Sequence, residues 1–139
     1  DGLKDAGLEE NTVILFTSDN GPEDIDIRSA QWSAAGSAGP LRARKRSLYE
    51  GGVRVPWIMA WPGRLPAGAV NDTTAINAVD LFPSFAALAG ATPPPEAARH
   101  FTPTGYGGED LSAVFSPDQD IRRTKPMFWE WREEVVNHP

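Results

Sequence analysis

Thr12-Val13-Ile14-Leu15-Phe16-Thr17-Ser18-Asp19-Asn20-Gly21-Pro22 is the stretch that decides how the rest of the chain is read. Its first five residues form a short apolar run rich in β-formers, which predicts a strand buried on both faces. A carboxylate, a carboxamide, a glycine and a proline then stop the strand and open a loop. In open α/β sheets the loop beyond the carboxyl end of a strand is where ligands and metals bind. Neighbouring side chains within a strand point to opposite faces, whereas on the turn just beyond it both can converge on one point. Asp19 and Asn20 offer two hard oxygen donors there, which suit Ca²⁺ or Mg²⁺ better than zinc. The same pattern also serves a polar turn in which both side chains only cap backbone N–H groups. At the level of the local pattern both readings stay open.

Working outward, residues 1 to 8 read as the end of a helix, with Leu3, Ala6 and Gly7 near helical spacing. Residues 18 to 50 are rich in Gly, Ala, Ser and Arg with little apolar periodicity, and a long irregular stretch in a compact domain points to function. Val53 to Trp61 is expected to be a second strand, with Pro56 near its start or at an edge. Trp61-Pro62-Gly63-Arg64 reads as a turn. Asn77 to Ala89 is the strongest helix: Leu81, Phe82, Phe85, Leu88 and Ala89 make one apolar stripe, Asp80 suits the N-terminus, Pro83 fits the first turn and Gly90 closes it. Pro93-Pro94-Pro95 stiffens a connection running to about Gly108. Leu111 to Phe115 is expected to be a short helix, and Pro126 to Trp131 a final strand. These elements form a thin α/β unit over 1–139.

The composition bounds what such a unit can do. Its 139 residues can hold one domain with a core, and 40% apolar content with five Trp and six Phe belongs to a folded chain. Thirteen Pro and thirteen Gly imply long ordered loops between few regular elements. A net charge of -6 argues against non-specific nucleic-acid binding. With no Cys there is no disulfide, no cysteine-ligated zinc and no cysteine nucleophile, and two His give poor support to a histidine-rich site. No apolar run approaches the roughly 20 residues of a membrane span, so no membrane partner is expected.

A second constellation lies at Leu41-Arg42-Ala43-Arg44-Lys45-Arg46-Ser47-Leu48-Tyr49-Glu50-Gly51-Gly52-Val53-Arg54-Val55-Pro56. Four cations crowd beside a Gly-Gly pair in an otherwise acidic chain. Such a cluster suits a phosphate or sulfate, with Arg giving forked hydrogen bonds and Lys a point charge. A solvated basic loop is the plainer reading of the run by itself.

Together the two segments resemble the type I sulfatase family, in the alkaline-phosphatase-like superfamily. The Tyr49-Glu50-Gly51-Gly52-Val53-Arg54-Val55-Pro56 phrase is the specific part. Weaker echoes lie in Trp61-Pro62-Gly63, Val79-Asp80-Leu81-Phe82-Pro83-Ser84 and Gly108-Glu109-Asp110-Leu111. Within the family, Lys125 to Trp131 is most similar to arylsulfatase A-like and N-acetylgalactosamine-6-sulfatase-like members. The resemblance implies an α/β fold: part of an alkaline-phosphatase-like sulfatase catalytic domain, its C-terminal portion, with an incomplete sheet and flanking helices. It further implies that Asp19 and Asn20 are two ligands of a catalytic divalent cation, usually Ca²⁺ with Mg²⁺ as the other candidate, and that Lys45 contacts the sulfate ester. Glu50, Gly51, Gly52 and Arg54 are expected to fix the loop that aims Lys45, the glycines by adopting unusual backbone angles and Arg54 as an ion-pair partner.

Two departures limit what carries over. Arg44 and Arg46 flank the lysine where relatives often have small residues; either could add to an anion pocket or point to water. More important, sulfatases use a formylglycine made from Cys or Ser in a Cys/Ser-x-Pro/Ala-x-Arg motif. Here Ala60-Trp61-Pro62-Gly63-Arg64 has that spacing, but alanine has no oxygen or sulfur to oxidise. The expectation is therefore a fragment of an enzyme that hydrolyses sulfate esters, sulfated sugars being candidate substrates, with its formylglycine outside this chain. Alone, such a fragment should be inactive and should self-associate. Family resemblance points to a periplasmic, secreted or lysosomal-like parent. The competing reading is a free-standing, non-catalytic module that binds anions or a protein partner.

Overall fold

The computed structural model describes residues 2–23, 36–92, 107–116 and 121–130. Its helices are α1 (Gly2–Asp5), α2 (Glu50–Val53) and α3 (Leu81–Leu88), and its strands are β1 (Ile14–Thr17) and β2 (Trp57–Ala60), with 3₁₀ turns at Glu9–Asn11, Ala78–Asp80 and Ser112–Phe115. The two strands pair in one sheet. Gly21, beyond β1, donates to the carbonyl of Gly52, ahead of β2, while the Trp61 indole, beyond β2, donates to the carbonyl of Glu10, ahead of β1. The pair therefore runs antiparallel. This is a partial α/β arrangement, as the sequence predicts.

Several expectations change in detail. The strand expected to be buried on both faces alternates exposed and half-buried residues, with Ile14 45% and Phe16 64% exposed. In a two-stranded ribbon the alternate side chains have only one neighbouring strand to pack on. β2 starts at Trp57, later than Val53, because residues 50–53 are wound into α2 and Val55-Pro56 form the step between them. Pro56 cannot donate to a ladder, so pairing resumes beyond it. Among the described residues 126–130 there is no strand, and Trp131 lies outside them. The expected Pro93-Pro94-Pro95 connection also lies outside the described residues, as do positions 24–35 of the long irregular region.

The chain gathers into two compact units, one of Asp1–Ile14 with Met59–Met127 and one of Leu15–Ile58 with Phe128–Pro139. In the first, α3 is the organising element. Ala78–Asp80 leads into it, Pro83 sits in its first turn, and Gly90 ends it at φ 65°, the left-handed closure that glycine adopts without a Cβ clash. Phe85 of α3 meets Phe115 with ring centroids 5.8 Å apart and planes tilted by 47°. Trp61, Leu111 and Phe115 are the buried apolar residues among those described, and the Arg64 guanidinium lies 4.5 Å over the Trp61 ring.

A polar node fastens this unit. Asp80 is wholly buried, and its carboxylate accepts from the backbone N–H groups of Asn77 (2.7 Å) and Glu109 (2.8 Å) while pairing with Arg123. Ser84 Oγ accepts from the Leu111 N–H at 2.9 Å. Glu109 accepts from the N–H and hydroxyl of Thr124 and lies 3.6 Å from Arg123 Nε. A buried carboxylate is stable only when its charge and lone pairs are met in this way.

Candidate functional site

The site is built in the second unit, where three backbone segments meet. Beyond β1 the chain passes through Asp19-Asn20-Gly21-Pro22-Glu23, and Gly21 N–H donates to the Gly52 carbonyl at 2.8 Å. Lys45 N–H donates to the Pro22 carbonyl at 2.9 Å, and Gly51 N–H to the Arg42 carbonyl at 2.7 Å. The strand-end loop, the lysine loop and α2 are thus bonded to one another through their main chains.

Glycine makes that approach possible, though by a different route from the one expected. Gly51 and Gly52 are in ordinary helical conformation; their contribution is the absence of a side chain. A Cβ on Gly21 would lie 1.8 Å from the Gly51 oxygen, and one on Gly51 would lie 2.0 Å from the Ala43 oxygen. The unusual backbone angles fall instead on Ala43 (φ 67°) and Arg46 (φ 69°), either side of the lysine.

Lys45 is held at its tip as well as its backbone. Its Nζ lies 3.0 Å from Glu23 Oε2, while Arg46 Nη1 pairs with the other oxygen, Glu23 Oε1. The Glu23 side chain is only 10% exposed, whereas those of Lys45 and Arg46 are 37% and 40% exposed, so the carboxylate is sheltered and its cations still meet solvent. Arg44 Nε donates to the Glu23 carbonyl (2.7 Å) and its Nη2 to the Gly36 carbonyl (2.6 Å). Both arginines that flank the lysine therefore bind protein groups: Arg44 binds backbone and Arg46 binds the carboxylate. Arg42 lies 3.7 Å over the Tyr49 ring. Arg54 pairs with Glu50 at 3.1 Å, one helical turn back, with both side chains well exposed; such pairs contribute about 0.3–0.5 kcal/mol.

A cleft of about 670 Å³ opens beside this junction, with Thr17, Asn20, Gly21, Pro22, Arg54 and Val55 among its walls. Asn20 is half-buried and donates from Nδ2 to the Gly21 carbonyl at 2.9 Å, which leaves Oδ1 as the side-chain acceptor. Asp19 is exposed, and the Ser18 hydroxyl approaches its Oδ1 at 3.4 Å. The pair is chemically suited to a hard cation but supplies few oxygens, against the about six to eight that Ca²⁺ takes. Among the described residues no three His, Cys, Asp or Glu side chains are grouped to hold a metal.

Glu23 was not singled out by sequence. It is 22 positions before the lysine it pairs with, and nothing local marks it beyond its place after Pro22. The Asp80–Arg123 pairing was equally hidden, because 43 residues separate its members.

Comparison with known proteins adds independent information. The sequence profile of the family described as Sulfatase matches residues 1–91. A protein named Sulfatase from Formosa agariphila is 33% identical over 132 residues, covering 94% of this chain and 21% of its own length. Arylsulfatase A of Homo sapiens is 43% identical over 92 residues, 66% of this chain and 17% of that protein. N-acetylgalactosamine-6-sulfatase of Homo sapiens is 40% identical over 150 residues, covering 97% of this chain and 27% of its own length. Among solved structures, that of Ps i-CgsB in complex with k-i-k-neocarrahexaose superposes with a TM-score of 0.61 at 35% identity, over 83% of this chain and 23% of that one. The chain thus spans between 17% and 27% of the length of these relatives.

Proposed function

This chain belongs to the sulfatase family, and on that premise we propose that it carries part of the catalytic site of a sulfate-ester hydrolase. In this reading the Lys45 ammonium donates to an oxygen of the ester's sulfate. Asp19 and Asn20 are two of the oxygen ligands of a divalent cation, Ca²⁺ or Mg²⁺, and the remaining ligands come from outside this chain. A cation held there would supply positive charge to the sulfate as the S–O bond breaks. The formylglycine nucleophile would also lie outside this chain.

One observation supports this reading above the rest. The loop bearing Asp19 and Asn20 and the loop bearing Lys45 are separated by some two dozen residues, yet they are bonded backbone to backbone through Gly21–Gly52 and Lys45–Pro22. A polar turn and an unrelated basic loop need no such junction. Preorganised charge is what stabilisation of a developing anion requires; of the three site residues Asn20 is on the wall of the cleft, and Lys45 and Asp19 are not. We further propose sulfated sugars as the substrate class; the names of the N-acetylgalactosamine-6-sulfatase relative and of the neocarrahexaose complex support it. A periplasmic, secreted or lysosomal-like setting is proposed on family grounds, and no helix among the described residues is long and apolar enough to cross a membrane.

Mass spectrometry of the protein made from the complete reading frame tests the proposal. A peptide carrying formylglycine is the expected result, and a polypeptide with no such residue would exclude this mechanism.

A further inference from the structure

Glu23 occupies an unusual position for a carboxylate beside an anion site. Its side chain is nearly buried, one oxygen faces Lys45 Nζ and the other faces Arg46 Nη1. Its backbone carbonyl takes the Arg44 Nε–H, and the carbonyl just before it, on Pro22, takes the Lys45 N–H. Pro22 and Glu23 therefore grip three successive residues of the lysine loop. Arg46 makes its contact from a left-handed conformation, φ 69°, that non-glycine residues avoid unless other contacts hold them there.

Resting on the reading of Lys45 as the sulfate contact, we propose that Glu23 is a resident counter-ion that sets how tightly Lys45 holds an anion. In the structure Glu23 occupies the ammonium, so an arriving sulfate must share or displace a carboxylate. Arg46 makes that exchange possible: when Lys45 turns to the sulfate, the carboxylate keeps its other cation and is not left buried and unpaired. The trio of Glu23, Lys45 and Arg46 keeps one net positive charge, enough to attract an anion without trapping it. Glu23 is thus an affinity-setting residue for the sulfate site, acting through Lys45.

Two effects of removing its charge oppose each other. A lysine no longer held by a carboxylate has more side-chain freedom to lose on binding, which weakens the site. The lost repulsion between carboxylate and sulfate strengthens it. The second dominates, because removing the carboxylate changes the charge a few ångströms from the anion by a full unit, whereas the freezing concerns one side chain.

The test is a calorimetric titration of the protein made from the complete reading frame with sodium sulfate at ionic strength fixed by sodium chloride, with circular dichroism confirming the fold of each variant. Lys45→Ala should abolish the sulfate response. Glu23→Gln should tighten sulfate binding roughly three- to ten-fold, the scale of one partly screened charge. Arg46→Ala should weaken it by a similar factor. Unchanged or weaker binding in Glu23→Gln, with the Lys45 dependence intact, would overturn the counter-ion role and leave Lys45 as the sulfate contact. A sulfate response indifferent to Lys45 would overturn both. Should Glu23→Gln fail to fold, the Arg46→Ala arm decides, and unchanged affinity there counts against the proposal.

Discussion

At Gly21 a single added carbon would sit 1.8 Å from a backbone oxygen, that of Gly51. Backbone cannot rotate aside as a side chain can, so Gly21→Ala must separate the loop of Asp19 and Asn20 from the loop of Lys45. A cost of about 3 kcal/mol, at the upper end for overpacking, is expected as a lowered midpoint in urea denaturation. Gly63 supplies the contrast. It has φ 80° and nothing within 4 Å of an added Cβ, so Gly63→Ala should cost only the conformational term of about 1 kcal/mol. The sequence made the Gly-Gly phrase conspicuous and placed it correctly beside the lysine. It could not show that the requirement is close approach: tight packing and a left-handed turn call for the same residue type. Nor could it reveal Glu23, since the pairing of one carboxylate with one lysine is set by how two loops meet.

At the scale of elements, α3 was legible because its apolar stripe, Asp80, Pro83 and Gly90 all point to the same helix. The strand expected at Pro126 to Trp131 is absent over its described residues 126–130: a run of Met, Phe and Trp has strand propensity whether or not a partner strand is there to pair with it. Asp80 was read as a helix-start residue and proves to be the hub of a buried pairing as well. Asp80→Asn keeps the shape but leaves Arg123, 10% exposed, with Glu109 at 3.6 Å as its remaining carboxylate; a loss of about 3 kcal/mol, the lower end for breaking a buried pair, is expected in thermal or denaturant unfolding. Glu109 supplies a pH dependence. The Thr124 hydroxyl first, then backbone N–H groups of Lys125 and Thr124 and the Arg123 charge, hold its carboxyl below the ordinary value of 4.5 against the opposing effect of desolvation. A carboxylate lowered on folding adds stability that is fully present above its unfolded pKa and is lost as pH falls through the folded one. Stability should therefore drop on acidification below about pH 4.5, and Glu109→Gln should flatten that limb in unfolding curves taken across the acid range.

At the scale of the whole molecule, the described residues expose more large apolar side chains than they bury. Among the described residues three apolar side chains are buried, while Phe16, Ile58, Leu48 and Phe128 are each at least half exposed. Exposed apolar side chains and open strand edges favour association, so light scattering should show self-association of the 139-residue chain, and a clean monomer at high concentration would contradict that. If Asp19 and Asn20 are two ligands of a larger set, as proposed, calorimetry should find Ca²⁺ binding to this chain no tighter than about millimolar. Micromolar binding would mean that further ligands lie within it. The chain does hold the junction between the loop of Asp19 and Asn20 and the loop of Lys45, and the proposal places this junction in a catalytic site. The direct measurement is turnover of a chromogenic sulfate ester by the protein from the complete reading frame, comparing wild type with Lys45→Ala and Asp19→Ala. Turnover is expected in the wild type, with a fall of about 10²-fold or more in each variant while the fold stays intact. Variants as active as the wild type, or a wild-type protein that carries formylglycine yet cleaves no sulfate ester, would contradict it.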